Sequence, residues 1–274
     1  MKHAILVIGH GSDASVLQGT IRILDDKDID FIIHWDKKYP KPKLAAVNSK
    51  IFFIKSIEVE WGTFSQIQVE KNLLKYVYNA KNYDYVHLIS STDMPLMNIK
   101  HFKKFFVNDM YLGFKKDGAG CSDRISYYYP DFSVNLRSIL GKILIRVTKC
   151  FNQLFRVNRL KNWGGCVKKG ANWFSMRSIF IPEVLAYDIS VFQHSYLADE
   201  VYLQTILAKY ESTIDSYGYD PYDAARYIDW DRGNPYVFTM TDVPELKSVL
   251  NTKYAFARKV NDVRLINVVF ADYN

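Results

Sequence analysis

Residues 4–13 read AILVIGHGSD and residues 83–93 read YDYVHLISSTD: two short apolar runs, each stopping at a run of turn residues. In the first, five consecutive aliphatic residues run into Gly9-His10-Gly11; in the second, Val86 to Ile89 run into Ser90-Ser91-Thr92. Short continuous apolar runs that stop at turn residues are buried strands. DFIIHWD (30–36) and KIFFIK (50–55) supply two more strands between them. After the first strand, Val16, Leu17, Ile21 and Leu24 recur at helical spacing. Before the fourth, Thr63 and Gln66 have the spacing of a capping box, opening a helix with core face Ile67, Leu73, Leu74 and Val77. This β-α-β alternation predicts a Rossmann-like α/β fold: a mostly parallel sheet with helices on both faces. A ligand of such a sheet lies beyond the carboxyl ends of its strands. Gly9–Gly11, His34–Asp36, Trp61 and Ser91–Asp93 are therefore expected to converge.

The second half is less regular. ANWFSM (171–176), ARYIDWD (225–231) and PYVFTM (235–240) read as strands, and LADEVYLQTILAKY (197–210) as a helix. Asp242 and Glu245 have the spacing that caps a helix through Leu250. No repeat, low-complexity tract or linker divides the 274 residues, so a single domain over 1–274 is expected. A hydrophobic content of 49% excludes a disordered chain. No stretch approaches the roughly eighteen apolar residues of a membrane span, and the N-terminus carries no signal-peptide pattern. The three cysteines, Cys121, Cys150 and Cys166, are widely spaced. They point to reduced thiols and a cytoplasmic location rather than to disulfides or a zinc site.

The net charge of +7 is concentrated in one segment. From Phe132 to Pro182 there is no acidic residue, while ten basic ones occur. Within it, LRSILGKILIRVTKCFNQLFRV (136–157) mixes bulky apolar residues with cations. Two readings stay open: a helix that packs its Ile and Leu inward, or one that lies on an acidic lipid surface. A nucleic-acid surface lacks any supporting motif.

Candidate chemistry narrows by elimination. The six histidines never fall at metal-ligand spacing. There is no GxGxxG or GxxxxGK[ST] loop and no GxSxG elbow. Nucleotide-sugar transferases commonly hold a metal on an Asp-x-Asp after the fourth strand. Here that place reads Ser91-Thr92-Asp93, and the Asp-x-Asp strings at 26–28, 28–30 and 229–231 have the wrong context. The adjacent Arg258 and Lys259 in KYAFARKV (253–260), with Arg232, are either ordinary surface charge or a metal-free site for a strong anion. Glu200, opening a helix, is either a general base or an N-terminal acid favoured by the helix dipole.

Seven stretches then occur in an order that resembles the core-2/I-branching glycosyltransferases. They are HWDKK, VEWGTFSQIQVEKNLL, YDYVHLISSTDMPL, GANWFSM, ADEVYLQTIL, RYIDWDRG and YAFARKV. The likeness covers nearly the whole chain apart from a basic insert at about 115–165. It implies a GT-A fold, a UDP-sugar donor, no cofactor or divalent metal, and inversion at the anomeric carbon. Residue by residue, it implies a donor site at Gly9, Asp36, Val59, Glu60, Trp61, Asn172 and Trp173. Arg258, Lys259 and Arg232 would meet the diphosphate, Glu200 would deprotonate the acceptor hydroxyl, and Trp230 and Asp93 would face the acceptor. Xylosyltransferase-type members carry an acid where this chain has Asn172, which favours N-acetylglucosamine. Without the stem, anchor and extra cysteines of Golgi members, the chain resembles a bacterial enzyme at the cytoplasmic membrane face, building surface polysaccharide on a lipid-linked acceptor. The alternatives are transfer of xylose or another hexose from UDP, or a non-catalytic UDP-sugar or glycan binder.

Overall fold

The structure is a computed structural model and describes residues 1–115, 121–132, 134–214 and 220–273. Residues 116–120 and 133 of the expected basic insert lie outside the described residues. The first half runs β1 (His3–Gly9), α1 (Ser15–Ile23), β2 (Ile29–Trp35), β3 (Ile51–Phe53), α2 (Phe64–Ala80), β4 (Tyr85–Ser90), β5 (Met94–Pro95), α3 (Ile99–Phe105) and β6 (Met110–Tyr111). The second runs α4 (Asp123–Ser126), α5 (Ile139–Leu154), β7 (Ser175–Arg177), α6 (Ile181–Ala186), α7 (Asp199–Ile206), α8 (Asp220–Asp223), β8 (Arg226–Ile228), α9 (Val243–Ser248), β9 (Phe256–Arg258) and α10 (Val263–Val269).

The six-stranded sheet has the order β3-β2-β1-β4-β7-β6. Its first four strands are parallel; β7 runs antiparallel to β4, and β6 antiparallel to β7. The apolar runs are continuous because both faces are covered. Ala4 and Leu6 of β1 join Val86 and Leu88 of β4 in packing on Leu73, Leu74, Val184 and Val201 of α2, α6 and α7. Their neighbours Ile5 and Val7, with Phe31 and Ile33 of β2, face Leu17 of α1 and Phe102 of α3. Each Val, Leu, Ile or Phe side chain so removed from water stabilises the fold by about 1.5–3 kcal/mol. The helix expected after Trp61 forms with Thr63 as N-cap, its hydroxyl accepting from the Ser65 amide at 3.3 Å. Gln66 reaches back one residue further than a capping box requires, to the Gly62 amide.

A second, small sheet of order β5-β9-β8 stands beyond the end of β4. It is pinned by Arg226, which is 1% exposed. Its guanidinium donates to the carbonyls of Ala224, Leu88 and Phe174 and to the Ser175 hydroxyl, and lies 4.9 Å from the centre of the Phe256 ring. Burial pushes its pKa down to about 9.

Three expected elements differ. The strand expected over 171–176 is ordered as a ladder only at Ser175–Arg177, because Gly170 to Trp173 line a cleft instead. Residues 235–240 form no strand: Pro235 has no amide to donate, and only Phe238 pairs, in a single bridge to Val260. The helix expected over 197–210 stops at Ile206 and continues as a 3₁₀ turn over Ala208–Thr213.

Candidate active site

A cleft of about 1410 Å³ opens along the carboxyl ends of β1, β2 and β4. Its floor is set by Gly9, where a side chain is impossible: a Cβ would sit 2.2 Å from the Trp35 ring. Trp35 in turn donates its indole N–H to the Gly11 carbonyl at 3.2 Å. Asp36, 4% exposed, accepts the Lys38 amide at 3.0 Å. The Lys38 ammonium then spans to the Val59 carbonyl (2.7 Å) and the Glu60 carboxylate (2.9 Å). One lysine thus ties the β2 end to the loop before α2, and brings Asp36, Val59, Glu60 and Trp61 to one wall of the cleft.

The neighbouring end is cationic. Arg258, at the tip of β9, donates to the Ser90 hydroxyl and to Asp93 (2.7 Å), and its guanidinium lies 4.3 Å from the centre of the Trp173 ring. Arg137, in the segment before α5, lies 4.5 Å over the Trp61 ring. Lys259 is half-buried, and its pKa is lowered first by burial and then by Arg258 and Arg137. Arg137 is likewise lowered by burial and by Arg258, and His10 by burial, Lys259 and Arg258. Arg258, Lys259 and Arg137 thus stand close together with the carboxylate of Asp93 facing Arg258, and among the described residues the group carries more positive than negative charge. Among the described residues no group of three or more His, Cys, Asp or Glu side chains is placed to hold a metal ion.

Glu200 also lines the cleft. Glu200 stands in the first turn of α7, where its backbone carbonyl accepts the Gly170 amide at 3.0 Å. Gly170 cannot be larger, because a Cβ would come 1.8 Å from the Gly113 carbonyl. The Glu200 carboxylate faces the cleft between Arg124 of α4 (2.7 Å) and Lys169 (3.3 Å). Behind it, Asp199 is 6% exposed and accepts from the Gln66 amide at 3.1 Å. Burial, then the adjacent Glu200 charge, pushes its pKa up to about 7. Glu70 of α2 is buried deeper still and is pushed well up by burial and by Asp199, an effect the neighbouring Asn172 partly offsets. Two carboxyl groups beneath Glu200 are therefore held toward their neutral forms.

Of the residues singled out in the sequence, Gly9, Asp36, Val59, Glu60, Trp61, Asn172, Trp173, Glu200, Trp230 and Arg258 all line the cleft. Trp230 is 46% exposed there, which is unusual for so large an apolar ring. Lys259 stands beside the lining rather than in it. Two placements correct the expectations. Asp93, expected to face the acceptor, is 1% exposed and spends its carboxylate on Ser90 and Arg258, so it is a support for that arginine. Arg232, expected at the diphosphate, is held by Asp229, Asp242 (3.2 Å) and Glu245 (2.7 Å) outside the cleft lining. Sequence reasoning also missed Arg137, Arg124, Lys169 and Lys38. Arg137 and Lys169 were visible only as members of the acid-free run, and their places depend on chain segments far away in sequence.

Four parallel strands continued by antiparallel ones, with the cleft across their carboxyl ends, define an α/β protein of the GT-A type. The family model described as Core-2/I-Branching enzyme matches residues 4–246, and the chain belongs to that family. It is thus a glycosyltransferase of the core-2/I-branching type. No curated protein matches the chain. The family match stops short of Arg258 and Lys259, which therefore rest on the geometry alone.

Proposed function

We propose that the protein moves a sugar, N-acetylglucosamine by preference, from a UDP-sugar to a glycan hydroxyl by a single inverting displacement without a divalent metal. The observation that carries this reading is the charge of the cleft: Arg258, Lys259 and Arg137 share the single carboxylate of Asp93, and the carboxylate of Glu200, held by Arg124 and Lys169, faces the same cleft. Asp36, Val59, Glu60 and Trp61 form the wall for uridine, while Asn172 and Trp173 lie against the donor sugar. Trp230 offers its exposed ring to the apolar face of an acceptor sugar.

Glu200 takes the proton from the acceptor hydroxyl as that oxygen bonds to the anomeric carbon. The bond from that carbon to the diphosphate oxygen breaks on the opposite face, and its electron pair leaves with UDP. Charge that grows on the leaving oxygen meets Arg258, Arg137 and Lys259, which are already in place and need no reorganisation. Arg124 and Lys169 keep the base oriented.

Asn172, in place of an acid, supports N-acetylglucosamine over xylose. A thermal-shift panel of UDP-sugars tests the donor, since a ligand that binds only the folded chain raises its apparent stability. Selective stabilisation by UDP-N-acetylglucosamine, with UDP released when a glycan acceptor is added, is the expected result. Stabilisation by UDP-xylose alone overturns the donor assignment, and binding with no UDP release or donor hydrolysis leaves a sugar-binding protein instead.

A further inference from the structure

Helix α5 presents its apolar side to the wrong medium. On a helical projection at 3.6 residues per turn, Gly141, Ile145 and Asn152 share one narrow face, and that face is buried. Ile145 packs with Tyr129 and Leu136. Asn152 exchanges hydrogen bonds with the Tyr128 backbone, accepting at 2.8 Å and donating at 3.0 Å. Ser138 caps the helix by accepting the Gly141 amide at 3.0 Å. The opposite face carries Ile139, Leu140, Ile143, Val147, Phe151 and Leu154, all exposed, with Leu154 at 73%. Phe155, just past the helix end, is exposed as well and stacks on Phe151.

Of the two readings the sequence left open, inward packing therefore fails: the larger apolar face points away from the body. A contiguous face of six exposed apolar side chains marks an interaction site. Its setting identifies the partner. Lys142 and Arg146 flank the apolar stripe on one side, with Arg156 at its end, and no acidic residue occurs from Phe132 to Pro182. Lys149 on the same flank is taken up by Asp123 at 2.7 Å. A protein partner of ordinary composition would not demand an acid-free surround, whereas an anionic lipid surface does. Among the described residues no helix is long and apolar enough to cross a membrane, so α5 fits a lying rather than a spanning role.

We propose that α5 docks flat on an anionic bilayer, its Ile139-to-Phe155 face among the acyl chains and its flanking cations at the phosphate headgroups. The helix is continuous with the cleft: Arg137, immediately before its cap, lines the cationic end. Docking therefore places the cleft mouth at the lipid surface, where a sugar acceptor attached to a lipid would be presented.

The test is flotation of the full chain with vesicles of phosphatidylcholine alone or mixed with phosphatidylglycerol. Binding to the anionic vesicles at low salt is expected, weakening as salt screens the cations. Ile143→Glu with Phe151→Glu changes two outward side chains, so it leaves the core intact, and should lower the bound fraction at least about tenfold. Lys142→Gln with Arg146→Gln should lower it less and erase the preference for anionic lipid. No binding to anionic vesicles at low salt, or equal binding to both kinds, overturns the proposal. So does a dimer in sedimentation velocity that the Ile143→Glu/Phe151→Glu chain no longer forms, because the face is then covered by a second copy. The assay requires no turnover, so its failure is separable from failure of the sugar-transfer reading.

Discussion

Arg258 and Arg232 carry the same charge and share the same expected ligand, yet the fold treats them oppositely. Arg232 is half-exposed and answered by three carboxylates, those of Asp229, Asp242 and Glu245, and lies over the Tyr236 ring at 4.3 Å. Arg258 is less exposed, has the single carboxylate of Asp93, and faces Lys259 and Arg137. One group is locally negative; the other is locally positive. On the proposed reading, what marks a diphosphate site is missing compensation and not the presence of a guanidinium. The C-terminal Arg232 cluster is a clasp between the β8 loop and α9.

Glu200 gives the largest expected effect, because it is the reverse case: a carboxylate held by two cations. Glu200→Gln keeps the size and the contacts to Arg124 and Lys169 but cannot take a proton. Turnover should fall by about 10²–10⁴-fold while UDP affinity stays nearly constant. Near-normal turnover in a steady-state assay would move the base elsewhere, with Asp199 the next group along the helix.

The cationic end should respond in both binding and rate. Lys259→Ala or Arg137→Ala should weaken UDP about ten- to a hundredfold and lower kcat/KM by at least as much. Arg232→Ala, measured beside them by calorimetry, should leave UDP affinity within about twofold and lower the melting temperature instead. If Arg232→Ala weakens UDP as strongly as Lys259→Ala, the distinction between the two clusters collapses.

A smaller effect concerns stability and pH. The Asp199 carboxyl titrates at about 7 in the folded chain against an ordinary 3.8, so the folded state holds the proton more tightly. Stability is then lost as pH rises from about 4 to about 7. Asp199→Asn should melt several degrees above the parent chain at pH 8 and close to it at pH 4. An unchanged difference across that range would mean that Asp199 is already charged when buried.

How far the sequence reads depends on where each residue's partners come from. β1, β2, β4 and α2 were legible because their apolar spacing and the Thr63 cap are local. Gly9 and Asp36 followed from standing at strand ends. Asn172 and Trp173 were read as part of a strand, but the ladder begins only at Ser175, since the Ala171 carbonyl is taken by the Gln204 amide at 2.7 Å. Arg137 was illegible as a site residue: its neighbours Trp61 and Arg258 lie far away in the chain, and nothing in its own segment distinguishes it from nine other cations. Arg232 misleads for the converse reason: besides the local Asp229, its other two carboxylates, Asp242 and Glu245, come from α9 and the turn before it. The outward turn of α5 was likewise undecidable from spacing, since an amphipathic pattern fixes which residues share a face but not which face is buried.

On the proposed reading, Arg258, Lys259 and Arg137 stand where related chemistry uses a divalent metal. UDP release from UDP-N-acetylglucosamine with a glycan acceptor, measured in excess EDTA and again after adding manganese, tests it most directly. The expected result is full activity in EDTA, no gain from manganese, and no rescue of Lys259→Ala by manganese. Activity that vanishes in EDTA and returns with manganese would contradict the account and reduce Arg258, Lys259 and Arg137 to accompanying charge.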